Sequence, residues 1–290
     1  MCALVGTLSS ASHPTASPLR ASSSRTSTPL LGARGQYCGG LALAAATLGL
    51  ANAAQAQEKF KVYLSLSYSG NAWQSEAANI VKALAQTPPY DEMVELEEVI
   101  SGTDPQAQIS AYESMIDEGA DAIISFPISS TALNRTINRG CEEGVLFFMY
   151  DATVTESCAY NVSYLSAGFG ENTAQALVNE LGGEGKIFLS RGVPGNSVDQ
   201  RHTDGAMHIF GQYPGIEVVA EYYSYWDDRT TQQETAKALT AHPDVDGIWA
   251  QAGEYGAIQA MLDAGDRLVP MTGENSAGFR LALADPEMQE

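Results

Sequence analysis

Asp151 closes the apolar run Val145-Leu-Phe-Phe-Met-Tyr150, which places a carboxylate at the carboxyl end of a buried strand. A second run, Val62 to Leu66, feeds the polar loop Tyr68-Ser-Gly-Asn-Ala-Trp73, whose tip is aromatic. In a parallel sheet, ligands sit at the carboxyl ends of the strands, where such loops project. A strand that ends in a polar loop with a ring at its tip points to small-molecule binding. Catalysis has little footing. His202 and His208 are six apart, off the i, i+4 spacing of a metal pair on one helical face. No Gly-x-Ser-x-Gly elbow and no Cys-x-x-Cys pair occurs, and Gly182-Gly183 reads as a helix stop rather than a phosphate loop.

The elements that position these residues alternate regularly. After the first strand, Trp73, Ala77, Ile80, Val81 and Leu84 fall at helical spacing and predict an amphipathic helix with that face inward. Val94 to Ile100 predicts a strand, and Asp104-Pro105 a capped helix start whose buried face is Ile109, Tyr112, Met115 and Ile116. Ala122 to Phe126 is continuously apolar, as expected of a strand covered on both faces. Near residue 160 a fresh series opens: strands at Tyr160–Leu165, Lys186–Ser190, Val218–Tyr225, Ile248–Gln251 and Val269–Thr272, with helices between them. The loops Trp226-Asp-Asp-Arg229 and Gly273-Glu274-Asn275 follow two of these strands. The pattern predicts an α/β fold of two similar Rossmann-like lobes, each a parallel sheet flanked by helices, with a cleft between. The expected division is a leader over 1–56, a first lobe over 57–158 and a second over 159–290.

Charge and leader narrow the class. Of 15 basic and 35 acidic residues in 290, the first 57 hold Arg20, Arg25 and Arg34 and no acid. The rest therefore carries 12 basic against 35 acidic residues, about −23, which argues against nucleic acid, whose phosphates need clustered Lys and Arg. Hydrophobic content of 44% is enough for proper cores. Gly39 to Ala51 is an apolar run too short for a stable membrane anchor, follows Arg34 and leads to Ala54-Gln-Ala56. This is the pattern of a secretory signal peptide cut before Gln57; a Ser/Arg-rich organellar transit peptide is the alternative. Two of the four cysteines lie in the leader, leaving Cys141 and Cys158, an even pair that export would let bridge.

Several motifs in order, LSLSYSGNAW, GADAIISFP, FFMYDA, GNSVDQRHTDG, LTAHPDVDGIWAQ and PMTGENSAGF, span residues 59–285. Together they resemble the type I periplasmic solute-binding proteins of sugar ABC transporters, the ribose and galactose group. The resemblance implies hinge closure of two lobes over one monosaccharide or polyol. It also implies docking on a membrane permease, a periplasmic location, a monomer, and neither cofactor nor enzymatic activity. In that family the chain crosses between lobes three times. Glu290 precedes the third crossing, so the resemblance implies an incomplete second lobe.

The resemblance also assigns a ligand set. Trp73 and Trp226 are the expected stacking rings, with Trp226 at a loop tip. Asn71 offers donor and acceptor, Asp151 accepts from hydroxyls, and Arg201 presents five fixed donors. Glu274 and Asn275 supply the last contact, and Tyr68 is a weaker candidate. Four of these have another reading. Trp73 fits the first core position of its helix, Asn71 a turn, Asp151 a cap, and Arg201 an ion pair with Asp199 or Asp204. Ala252-Gly253 stands where many relatives carry a ligand-contacting Asn or Asp, which leaves the ligand open. A nucleoside or quorum-signal furanose receptor shares the fold, as does the sensor half of a transcriptional repressor, which would need a basic DNA-binding segment that the leader does not offer.

Overall fold

The structure is a computed structural model, and it describes residues 58–164, 168–265, 268–274 and 276–285. The leader, with its expected cleavage site, lies outside the described residues. The first half runs β1 (Phe60–Leu66), α1 (Ala72–Ala85), α2 (Tyr90–Met93), β2 (Val94–Ile100), α3 (Pro105–Asp117), β3 (Ala122–Ser125), α4 (Asn134–Glu142), β4 (Leu146–Tyr150) and β5 (Tyr160–Val162). The second runs α5 (Gly168–Glu180), β6 (Glu184–Arg191), α6 (Ser197–Phe210), β7 (Gly215–Tyr223), α7 (Asp228–Ala241), β8 (Gly247–Ala250), α8 (Glu254–Ala264), β9 (Met271–Thr272) and α9 (Ala277–Ala284).

Two sheets result, with strand orders β2-β1-β3-β4-β5 and β7-β6-β8-β9. Every pairing among the described strands is parallel; helices make the crossovers except from β4 to β5, where residues 151–159 connect without one. Tyr63, Tyr112, Met115, Ile123, Phe147 and Met149 fill the space between the first sheet and its helices. In the second half, Phe188, Ile248 and Met261 pack on one side, and Leu177, Phe210 and Trp249 on the other.

The helices start where the sequence provides caps. Asp104 accepts from Gln106 N and Pro105 takes the first helical position of α3, as expected. Asn71, Asn196, Asp227 and Ser276 cap α1, α6, α7 and α9 in the same way, each saturating an amide that would otherwise lack a partner.

Two expectations need correction. The strand at 160, read as opening the second lobe, pairs in parallel with β4, from Phe148 beside Tyr160 to Tyr150 beside Val162. It therefore ends the first sheet. The bridge between Cys141 in α4 and Cys158 holds the chain beside that sheet two residues earlier, and the second sheet begins only at β6. The expected 158/159 boundary thus falls short of the first sheet's last strand. The second correction concerns α1, whose buried residues are Gln74 and Ala78, while Ile80 is 68% exposed and Leu84 is exposed too. The helix turns Gln74 and Ala78 inward, where the Gln74 amide oxygen accepts from Tyr150 Oη at 2.9 Å.

Candidate functional site

The two sheets bring their carboxyl ends together. Tyr68 comes two residues after β1, Phe126 directly after β3, and Asp151 directly after β4; all three line one small cavity. From the second sheet, Trp226 comes three residues after β7 and Glu274 two after β9, and both line the same cavity. Asn71, Trp73 and Val198 complete its wall. The small cavity holds about 20 Å³, on the order of one water molecule. A larger one of about 630 Å³ adjoins it and shares Asn71, Trp73, Trp226 and Glu274.

Aromatic rings dominate the wall. Tyr68 stacks on Trp226 with centroids 6.1 Å apart, and Trp73 stacks on Tyr150 at 6.2 Å. Phe126, 1% exposed, sits among Tyr68, Trp73, Tyr150 and Trp226 at 5.9 to 6.3 Å. Edge-on and offset contacts of this kind suit the ring quadrupoles. Trp73 is 41% exposed and so does not occupy the core position that its spacing also allowed. Trp226, expected at a loop tip, is 7% exposed and belongs to a buried cluster with Phe126, Ile128 and Val198. Its indole Nε1 donates to Gln251 Oε1 at 3.1 Å, and its ring lies so close to Gly192 that a Cβ there would be 2.1 Å from it.

The polar groups are held with equal specificity. Asn71 Oδ1 accepts from Gln74 N at 2.9 Å, capping α1, while Nδ2 donates to Trp226 O at 3.4 Å and ties the two sheets' ends together. One amide thus does both the turn's work and a cross-cleft contact. Asp151 stands in the left-handed backbone region with φ 58°, as do Tyr225 and Trp226; these are the non-glycine residues so placed among those described. Strain of this sort concentrates where surrounding structure fixes a functional geometry. Burial raises the Asp151 carboxyl above its usual value, and Arg201 works against that shift.

Arg201 behaves differently from both readings of it. It makes no ion pair with Asp199, which pairs with Arg191 at 2.6 Å, nor with Asp204, which accepts from Gln200. Nor does it line the small cavity. Its Nη2 donates at 3.4 Å to Asp151 O and to Ser163 Oγ, so it backs the turn that carries Asp151, and its buried Nε has no partner among the described residues. Asn275 lies outside the described residues.

Glu274 is the most perturbed acid on the wall. Burial, then Glu254, then Asp151 push it up to about 7. Glu254, fully buried at the start of α8, is pushed up to about 7 chiefly by burial; Ser276 Oγ donates to its Oε2, and its Oε1 has no partner among the described residues.

Sequence reasoning missed three contributors. Phe126 reads as one more apolar residue of a buried strand, although its place at that strand's end was a usable signal. Gln251 reads in sequence only as a strand terminus, yet its Nε2 donates to Asp199 O at 3.0 Å, Asp199 Oδ1 at 2.9 Å and Thr203 Oγ1 at 2.9 Å while Oε1 holds Trp226. Gln74, on the first turn of α1, carried no signal in a pattern that scores polar residues as outward.

Two parallel α/β sheets that face a shared cavity with their carboxyl ends define a two-lobed α/β architecture. The chain belongs to the periplasmic binding protein domain family, whose model matches residues 62–290. It is 28% identical over 177 residues to the xylitol-binding protein of Mycolicibacterium smegmatis, covering 60% of this chain and 51% of that one. It is 26% identical over 168 residues to the D-xylose-binding periplasmic protein of Escherichia coli, covering 55% and 51%. A solved ABC transporter solute-binding protein from Thermobispora bispora superposes with a TM-score of 0.68 at 25% identity, covering 74% of this chain and 68% of that one. The chain spans about half the length of the curated relatives it matches.

Proposed function

We propose that this chain is the substrate-binding component of a sugar-type ABC importer, which takes a monosaccharide or related polyol between its two lobes. The observation that carries the reading is the convergence of Asn71, Trp73, Asp151, Trp226 and Glu274, drawn from both sheets, on one cavity. The chemistry matches: rings cover the C–H faces of a sugar, and carboxylates and amides accept and donate to its hydroxyls. Relatives named for xylitol and D-xylose support the ligand class. Closure is a population shift, in which ligand contacts made from both lobes favour the state that brings them together. Asn71 on Trp226 O, Asn196 Nδ2 on Pro127 O at 2.9 Å and Thr153 N on Ser197 Oγ at 2.7 Å join the halves in such a state. The reading includes export to the periplasm, action as a monomer and delivery to a membrane permease.

The test is a thermal-shift panel of neutral pentoses, hexoses, alditols and nucleosides on the exported protein, followed by calorimetry of each hit. A saturable shift with a pentose or alditol is expected. Binding of nucleosides alone would move the site to another ligand class, and no binding in the panel would sink the reading.

A further inference from the structure

The wall of the small cavity is unevenly charged. Asp151 reaches it from the end of β4, and Glu274 from beyond β9, so each sheet contributes one carboxylate. Among the described residues, no Lys or Arg lines that cavity. Three nearby donors are held by protein acceptors: Asn71 Nδ2 by Trp226 O, Trp226 Nε1 by Gln251 Oε1, and Arg201 Nη2 by Asp151 O and Ser163 Oγ. Behind Gly273, which walls the adjoining larger cavity, the fully buried Glu254 brings a third carboxyl. Its carboxyl group packs so close to Gly273 that a Cβ there would lie 1.8 Å from Oε1. Around the larger cavity, Glu76 and Asp228 add two acids and Arg280 one cation.

We infer that Glu274, acting with Asp151 across the cleft, makes the site select by charge, admitting neutral polyols and rejecting acidic ones such as aldonates and sugar phosphates. The inference rests on the proposed sugar-binding function and adds a specificity-determining residue to it. A ligand carboxylate or phosphate in the larger cavity would face Glu274 in its wall and Asp151 in the small cavity that adjoins it, two like charges at one end of the site. Like charges set opposite each other in a desolvated interface are the usual means of refusing a wrong partner. A neutral polyol meets the same carboxylates as acceptors for its hydroxyls and feels no repulsion.

Protonation gives the filter a second signature. The titratable groups that act on Glu274 are Glu254 from α8, Asp151 from the end of β4 and the Tyr68 phenol after β1, while Glu76, Asp228 and Arg280 share the wall of the larger cavity with it. Since Glu274 is held up to about 7, acidification neutralises it within an accessible range, and rejection should then weaken.

The experiment pairs neutral probes with acidic counterparts of the same skeleton, xylitol with xylonate and D-ribose with ribose 5-phosphate, by calorimetry on wild type and Glu274→Gln. For a pair whose neutral member binds, the acidic member should bind wild type on the order of a hundredfold more weakly, as like-charge juxtaposition predicts. Glu274→Gln should shrink that ratio by about tenfold or more, and so, for wild type, should lowering the pH from about 8 to about 6. Circular dichroism and thermal unfolding confirm that the variant is folded. If the acidic member binds wild type as tightly as the neutral one, or if the ratio does not move in Glu274→Gln, the charge filter is wrong while the sugar-binding function stands. If acidic probes bind and neutral ones do not, or if no probe binds, both fall.

Discussion

Trp226 and Gln251 are joined by a 3.1 Å hydrogen bond from indole Nε1 to the amide Oε1, inside a cluster shielded from solvent. Gln251 is anchored in turn by Asp199 and Thr203, so the ring's position is set by α6 as well as by its own loop. The link explains how a tryptophan at φ 56° is kept in place. Gln251→Leu keeps the volume but leaves the indole N–H unpaired, and Asp199 Oδ1 and Thr203 Oγ1 lose a donor. The expected cost is about 1–3 kcal/mol of stability, the usual penalty for orphaned buried polar groups. Urea denaturation followed by tryptophan fluorescence measures it; an unchanged midpoint would show that the bond does not hold the ring.

Asp151 calls for a substitution that its backbone tolerates. Asparagine accepts the left-handed region better than alanine does, so Asp151→Asn removes the charge with little added strain. Exchanging a charged acceptor on a buried hydroxyl for a neutral one should weaken binding of the cognate neutral polyol by roughly ten- to a hundredfold. Calorimetry decides it. Wild-type affinity in Asp151→Asn would remove Asp151 from the ligand set.

The architecture was legible in the sequence because buried parallel strands write themselves as apolar runs and helix starts as Asn, Asp and Ser caps. Asp151 was legible for the same reason, since it ends such a run. Three places show where that reading stops. Tyr160 to Val162 looks like the first strand of a new series, and only its pairing with β4, a non-local fact, assigns it to the first sheet. Helical periodicity placed Ile80 and Leu84 inward on α1, but the face that meets the sheet carries Gln74 and Ala78, with Gln74 bonded to Tyr150. Arg201 has the right chemistry for hydroxyls, yet its contact with the Asp151 main chain depends on how two lobes meet, which spacing along one chain does not encode.

The bridge between Cys141 and Cys158 spans 17 residues and ties α4 to the segment entering β5. A closed loop of that length restricts the unfolded chain and contributes about 3 kcal/mol. The Cys141→Ser, Cys158→Ser double variant should lose about that much stability, since β5 is three residues long and exposed at the sheet edge. Thiol titration of the denatured, unreduced mature protein should find no free thiol at these positions. Two reactive thiols there, with stability equal to the double variant's, would end the assignment.

The buried acids make a prediction about pH whose sign follows from linkage. Glu254 is held up to about 7, above the ordinary 4.5 of an exposed glutamate, mainly by burial. At low pH both folded and unfolded chains carry the proton, and burial of the neutral acid costs nothing in charge. As pH rises past the unfolded value and through 7, the unfolded chain ionises freely while the folded chain must ionise a desolvated group beside Asp228, so stability is lost. Glu254→Gln removes this liability, because a neutral amide fills the site at every pH and its oxygen can still accept from Ser276. The difference in Tm, variant minus wild type, should therefore grow from about pH 5 to about pH 8. His202, held down to about 4 by burial, acts in the opposite direction below its ordinary 6.5, but both chains carry it and it cancels in the difference. Thermal unfolding across that range reads the result directly. A difference that stays flat with pH would mean that Glu254 titrates as an exposed acid, and that burial at the start of α8 does not raise it.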